Sequence, residues 1–284
     1  SHTNNIQLGR FGRNRTTLWT YPGANSFGRN RDASLAAHPT VKNVAMLADA
    51  ILDATNKGDL VLDPFAGGSV RGIVAAKLGR EYIGIDLRPE QVAANQAQAD
   101  KICDDGIAPA WHVGDSLKVI PKLDVAADFV FSCPPYGDLE VYSDLPGDIS
   151  AVPHNEFLAA YRAIIKAAIG KLKKDRFACF VVGDFRDGKG FYRNFVSDTI
   201  GAFETAGARL YNEAILVTAA GSLPIRAGKQ FSASRKLGKT HQNVLVFVKG
   251  DPQKATEACG AVEVDESLFD DAEALDECDP SSLD

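Results

Sequence analysis

Five apolar runs constrain this chain more than any other feature: DLVLD (59–63), EYIGID (81–86), DFVFS (128–132), RFACFVVGD (176–184) and NVLVFVKG (243–250). They are continuously apolar rather than alternating, so each needs cover on both faces. Helix-length segments separate them, at 69–79, 89–103, 155–172 and 191–206. An earlier helix carries the stripe Val44, Leu47, Ala48, Ile51 and Leu52, with Thr40 able to cap it and Asn56-Lys57-Gly58 to stop it. The pattern predicts an α/β fold with a doubly wound, mostly parallel sheet. AWHV (110–113) and RLYNEAILVT (209–218) bring the strands to seven, the last of them antiparallel.

Charge divides the 284 residues unevenly. Residues 251–284 hold 12 acids and one lysine, whereas the other 250 hold 30 Lys and Arg against 25 Asp and Glu. The net charge of −6 thus conceals a mildly basic body. The expected domains are a basic N-terminal arm (1–37), a catalytic domain (38–250) and an acidic C-terminal tail (251–284). The basic excess sits in GRFGRNRTT and GRNRD near the start and in IRAGKQFSASRKLGKTH (225–241), a distribution suited to phosphate backbones. No apolar run approaches the roughly 20 residues of a membrane span. The five cysteines are scattered without CxxC spacing, which speaks against a disulfide framework or a metal site and fits a cytoplasmic setting.

The run VLDPFAGGSVRGIVAAKLG passes from strand through glycines into helix. In a doubly wound fold such a turn lies where ligands bind, and Gly67 and Gly68 let backbone approach a ligand closely. Neither GxGxxG nor a phosphate loop is present. Asp63 before the turn would welcome an ammonium group. Asp86, 23 residues on, can hold both ribose hydroxyls, and Asp115 in HVGDS can meet an adenine amino group.

DPFAGGS resembles the S-adenosylmethionine loop of class I methyltransferases, which have a Rossmann-like sheet. HPTVK (38–42) and the segment LWTYPGANSFGRNRDASLAAHPTVKNVAML are similar to the cofactor-side elements of DNA methylases acting on adenine N6 or cytosine N4. The resemblance covers roughly 38–250. It implies S-adenosyl-L-methionine as cofactor, held by Asp63, Pro64, Phe65, Ala66, Gly67, Gly68, Asp86, Leu87, Asp115 and Ser116, with His38 and Thr40 in a side wall and Lys42 beside them. In that family the fourth strand ends in Asp, Asn or Ser, then Pro-Pro and an aromatic. Pro134, Pro135 and Tyr136 therefore imply a pocket for a base flipped out of double-stranded DNA.

Cys133 departs from the family pattern. A thiol accepts hydrogen bonds poorly but attacks carbon well once ionised. The first expectation is therefore covalent C5 methylation of cytosine, with Cys133 as nucleophile. Glu140, Asp138, Asp184 or Glu213 would supply acid and base, and Arg226 would meet the base carbonyl. The alternative is exocyclic-amine methylation, cytosine N4 or adenine N6, with Ser132 or a backbone carbonyl accepting. An RNA guanine-N2 methyltransferase, a small-molecule methyltransferase and a non-catalytic cofactor-binding protein are further alternatives. Arg226, Lys229, Arg235, Lys236 and Lys239 are the expected phosphate contacts on a loop between the last two strands.

Overall fold

The computed structural model describes residues 16–21, 43–103, 106–139, 141–217 and 223–260. Eight strands form one sheet: β1 (Leu18–Thr20), β2 (Leu60–Asp63), β3 (Glu81–Asp86), β4 (Ala110–Val113), β5 (Ala127–Ser132), β6 (Leu172–Val182), β7 (Arg209–Val217) and β8 (His241–Lys249). Their order is β1-β7-β8-β6-β5-β2-β3-β4. β8 runs antiparallel to β6 and β7, and every other pairing is parallel.

Alternation along the central strands explains the two cores. Val61 of β2 and Phe129 and Phe131 of β5 face one layer, while Leu62 and Val130 face the other. The first layer is α1 (Val44–Ala54), α2 (Val70–Lys77) and α3 (Pro89–Ile102). The second is α4 (Ser116–Val119), α5 (His154–Lys171) and α6 (Phe195–Thr205). On α5 the residues Phe157, Tyr161, Ile164, Ile165 and Ala168 are buried, an i, i+4, i+7 stripe. Each fully buried side chain of this size contributes roughly 1.5–3 kcal/mol. All four β2 residues are buried, as a central strand requires.

The structure differs from the expected elements at five places. α1 is capped by Asn43, whose side chain accepts from the Met46 amide at 3.2 Å, and Thr40 lies outside the described residues. The sheet has eight strands because β1, within the segment expected as an arm, adds alongside β7. Beyond residue 250, where a tail is expected, α8 (Pro252–Cys259) buries Ala255 and Cys259; Asn56 Nδ2 donates to the Ala258 carbonyl at 2.8 Å. The loop between β7 and β8 contains α7 (Leu223–Ser234). Finally, α6 starts at Phe195 rather than 191, because the residues before it form a hairpin and Asn194 takes φ +55°.

The chain runs from β2 outward through β3 and β4, then returns to β5 on the other side of β2. This reversal opens a crevice beyond the carboxyl ends of β2 and β5. Asp63 and Ser132, the last residues of those strands, stand at its floor.

Candidate active site

The glycine turn is held by a buried charge network. Asp63 is fully buried and accepts four hydrogen bonds. Oδ1 takes the Phe65 amide at 3.1 Å and the Ser132 hydroxyl at 2.5 Å. Oδ2 takes Arg71 Nε at 2.5 Å and the Tyr82 hydroxyl at 2.9 Å. Arg71, on α2, also donates to the carbonyls of Phe65 and Ala66 at 2.7 and 2.6 Å. Burial disfavours its charge, but Asp63, Cys133 and Tyr82 outweigh that and raise its pKa. Asp63 is therefore not available for a ligand's ammonium group, contrary to expectation; it fixes the turn from behind. Ser132 is likewise fully buried, donates its hydroxyl to Asp63 and does not line the cleft, so it is out of reach of a base amine.

Two glycines make the turn possible. Gly67 has φ +53°, a region side chains rarely adopt. On β3, a Cβ at Gly84 would lie 2.8 Å from the Ala66 side chain, so the turn packs this closely on the strand because that position is glycine.

Asp86 closes the turn from β3. Its Oδ2 accepts the Gly67 amide at 3.0 Å and its Oδ1 the Arg88 amide at 2.9 Å. Burial raises its pKa above 3.8, the backbone bonds opposing. Asn95 donates to the Gly67 carbonyl at 2.7 Å. Asp115 caps α4 by accepting the Leu117 amide at 2.9 Å. Ser116 is buried and donates to the Pro64 carbonyl at 2.6 Å, so its hydroxyl is an anchor of the turn.

The opposite wall is apolar. Pro134 is buried, while Cys133, Pro135 and Tyr136 are half-buried. Tyr136 packs parallel to Phe185 at 6.2 Å and edge-on to Phe195 at 5.8 Å, and its hydroxyl accepts from Gln242. Phe157, Tyr161 and His154 continue this aromatic block. Cys133 follows Phe129 and Phe131 in the alternation and packs against the α1–α2 core.

One cleft of about 240 Å³ joins the two walls. It is lined by Pro64 to Gly68, Asp86, Leu87, Asp115 and Ser116 on one side and by Cys133 to Tyr136 on the other. A segment not anticipated, Tyr142 to Ile149, forms its outer lip; there Asp148 accepts the hydroxyls of Ser143 and Ser150 at 2.7 and 2.6 Å. Its lining carboxylates are Asp86, Asp115 and Asp148. Glu213 instead lines a separate cavity with Cys179 and Cys259, and Asp184 accepts the Val196 amide at 3.0 Å at the start of α6. Neither stands by Cys133 as acid or base. His38, Thr40, Lys42, Glu140 and the side chains of Asp138 and Arg226 lie outside the described residues. Lys229 and Arg235 are exposed; Lys236 and Lys239 are half-buried, and Lys239 donates to the Asp184 carbonyl at 2.6 Å. Among the described residues no group of three or more His, Cys, Asp or Glu could hold a metal ion. No helix among them is long and apolar enough to cross a membrane.

Residues 3–98 match a family model described as DNA methylase (N6_N4_Mtase). The type II methyltransferase M2.DpnII of Streptococcus pneumoniae is 35% identical over 91 residues, which is 31% of this chain and 32% of that protein. DNA adenine methyltransferase YhdJ of Escherichia coli K12 is 44% identical over 63 residues, 22% of this chain and 21% of that protein. The chain thus matches a third or less of the length of these curated relatives. Among solved structures, magnesium protoporphyrin IX methyltransferase of Synechocystis PCC 6803 with bound SAM has a TM-score of 0.45 at 18% identity, covering 73% of this chain and 76% of that one. Residues 3–98, which hold the glycine turn and Asp86, are thus similar to the DNA methylase family and to these curated DNA methyltransferases.

Proposed function

We propose that the protein transfers a methyl group from S-adenosylmethionine to an exocyclic amine of a DNA base, with adenine N6 as the first choice. The observation that carries this reading is the single cleft joining the glycine turn to the Cys133-Pro134-Pro135-Tyr136 wall. The family match and the adenine activity named for one relative favour the amine over carbon C5.

The residues fit the cofactor. Gly67 supplies the positive φ of the turn, and Gly84 lets the Ala66 side chain pack closely on β3. Asp86 lines the cleft and retains acceptor capacity for ribose hydroxyls after its two backbone bonds, and Leu87 and Asp115 flank the place of an adenine. Bound there, the cofactor supplies an electrophilic sulfonium methyl group.

The chain's part is positioning. Tyr136, backed by Phe185, offers an aromatic surface to a flipped base. Pro134 and Pro135 carry no amide hydrogen, so the carbonyls of this run accept from the base amine without a competing donor. The amine nitrogen forms its new bond to the methyl carbon as the carbon–sulfur bond breaks, and the extra proton passes to solvent. Cys133 contributes a small, weakly accepting wall beside Arg71 rather than a covalent bond.

Incubation with duplex DNA and methyl-labelled cofactor, followed by nucleoside mass spectrometry, tests this. N6-methyladenine or N4-methylcytosine is the expected product. 5-Methylcytosine would return Cys133 to the nucleophile's role, and label in RNA alone would replace the substrate.

A further inference from the structure

The segment between β6 and α6 carries chemistry that neither the cleft nor the core uses. Arg186 to Arg193 form a closed hairpin, with Arg186 bridged to Tyr192. Asp187 ties its tip: Oδ1 accepts the amides of Lys189 and Phe191, both at 2.9 Å, and its own amide donates to the Phe191 carbonyl at 2.9 Å. These backbone bonds, that of Phe191 first, hold the Asp187 carboxyl below its usual range. The Arg186 guanidinium lies 4.0 Å over the Tyr192 ring and donates to the Gly190 carbonyl at 2.8 Å. A turn so fully hydrogen-bonded does not need an apolar tip, yet Phe191 is 71% exposed.

The hairpin is rooted at the base wall. The Arg193 amide donates to the Phe185 carbonyl at 2.9 Å, and Phe185 is the ring on which Tyr136 rests. Cations surround it. Lys189 is exposed, and Lys236 reaches within 2.6 Å of where a side chain on Gly190 would begin. The nearby acids are occupied, Asp187 by its own loop's amides and Asp184 by the Val196 amide.

We infer that Phe191 is a wedge that enters the base stack when the target base leaves the duplex, with Lys189 and Lys236 on the adjoining phosphates. This rests on the reading of the cleft as a DNA base methylase. Extruding a base costs stacking and pairing, and an inserted aromatic restores part of the stack. A ring carried on a pre-formed hairpin loses little freedom on insertion. Leu139 and Val141 are exposed too, but neither has a flat π face to stack on a base.

The test begins with wild-type protein, duplex DNA and methyl-labelled S-adenosylmethionine, and the methylated site is mapped. If wild type labels no duplex, the methylase reading falls and the wedge with it. With the site known, Phe191→Ala is compared on two duplexes, one with the target base paired and one with it opposite an abasic position, where extrusion is already easy. The expected loss on the paired duplex is roughly ten- to a hundredfold, the worth of one aromatic–base stack. The abasic-opposed duplex should keep a rate close to wild type, cofactor affinity by calorimetry should be unchanged, and Phe191→Trp should keep the paired rate. Unchanged turnover by Phe191→Ala on the paired duplex, or an equal loss on both duplexes, overturns the wedge.

Discussion

The two walls of the cleft hold their shape by different forces. The cofactor wall depends on buried polar groups that leave almost nothing unsatisfied: Asp63, Arg71, Tyr82 and Ser132 behind the turn, and Asp86 and Asn95 in front. The base wall depends on ring packing, with Tyr136, Phe185, Phe195 and Phe157 in contact and Gln242 donating to the Tyr136 hydroxyl. A buried polar network is intolerant of deletion, because each lost partner strands another group in low dielectric. An aromatic block tolerates change at its edge. The comparison teaches that one wall is built to be constant and the other to accept a flat, variable partner.

The largest effect should come from breaking the constant wall. Asp63→Ala leaves Arg71 buried and unpaired, and the expected loss is about 3–5 kcal/mol in a urea or thermal unfolding experiment. A smaller loss would show that solvent or a neighbour reaches Arg71, and the contrast between the walls would fade. Asp86→Ala should weaken cofactor binding roughly ten- to a hundredfold by calorimetry, as expected for a hydrogen bond to a charged group. The pH dependence follows from burial, which raises the pKa of Asp86. The folded chain takes up this proton more readily than the unfolded one, so protonation relieves a strained carboxylate and does not cost stability. Affinity, which needs the carboxylate, should begin to fall while the pH is still above 3.8.

On the variable wall, Cys133→Ala should change the methylation rate by less than about tenfold, since the amine route takes no covalent bond from sulfur. Abolished turnover together with a trapped adduct on a 5-fluorocytosine duplex would reverse that. The smallest effect at a fixed salt concentration belongs to Arg235→Ala with Lys236→Ala. The slope of log affinity against log salt should shallow by about 2 if both meet phosphates. An unchanged slope would move the phosphate contacts elsewhere.

Legibility in the sequence followed the same division. Strands with continuous apolar character were readable, and so were the glycine turn and the acids at strand ends, because each is a local pattern. The three-residue β1 is too short to show a period, and its place is set by pairing with β7. Arg71 looks like a solvated helix residue until the fold brings Asp63 beneath it. Ser132 looked available because its partner lies 69 positions away. Phe191 and Tyr192 read as the start of a helix, and Asp187 with Gly190 turned them into a hairpin instead. Of the acids read as partners for Cys133, Asp184 and Glu213 stand elsewhere, because sequence does not show which side chains the fold brings together.

Most of what shapes the glycine turn is encoded within nine residues, since Arg71 grips Asp63 and the carbonyls of Phe65 and Ala66 from the helix that follows at once. A bend that carries its own clamp needs the later strands only to brace it, as Ser116 and Ser132 do from farther along the chain. The clamp and the acid it grips therefore fall together within residues 3–98, the part of the chain that matches the DNA methylase family model.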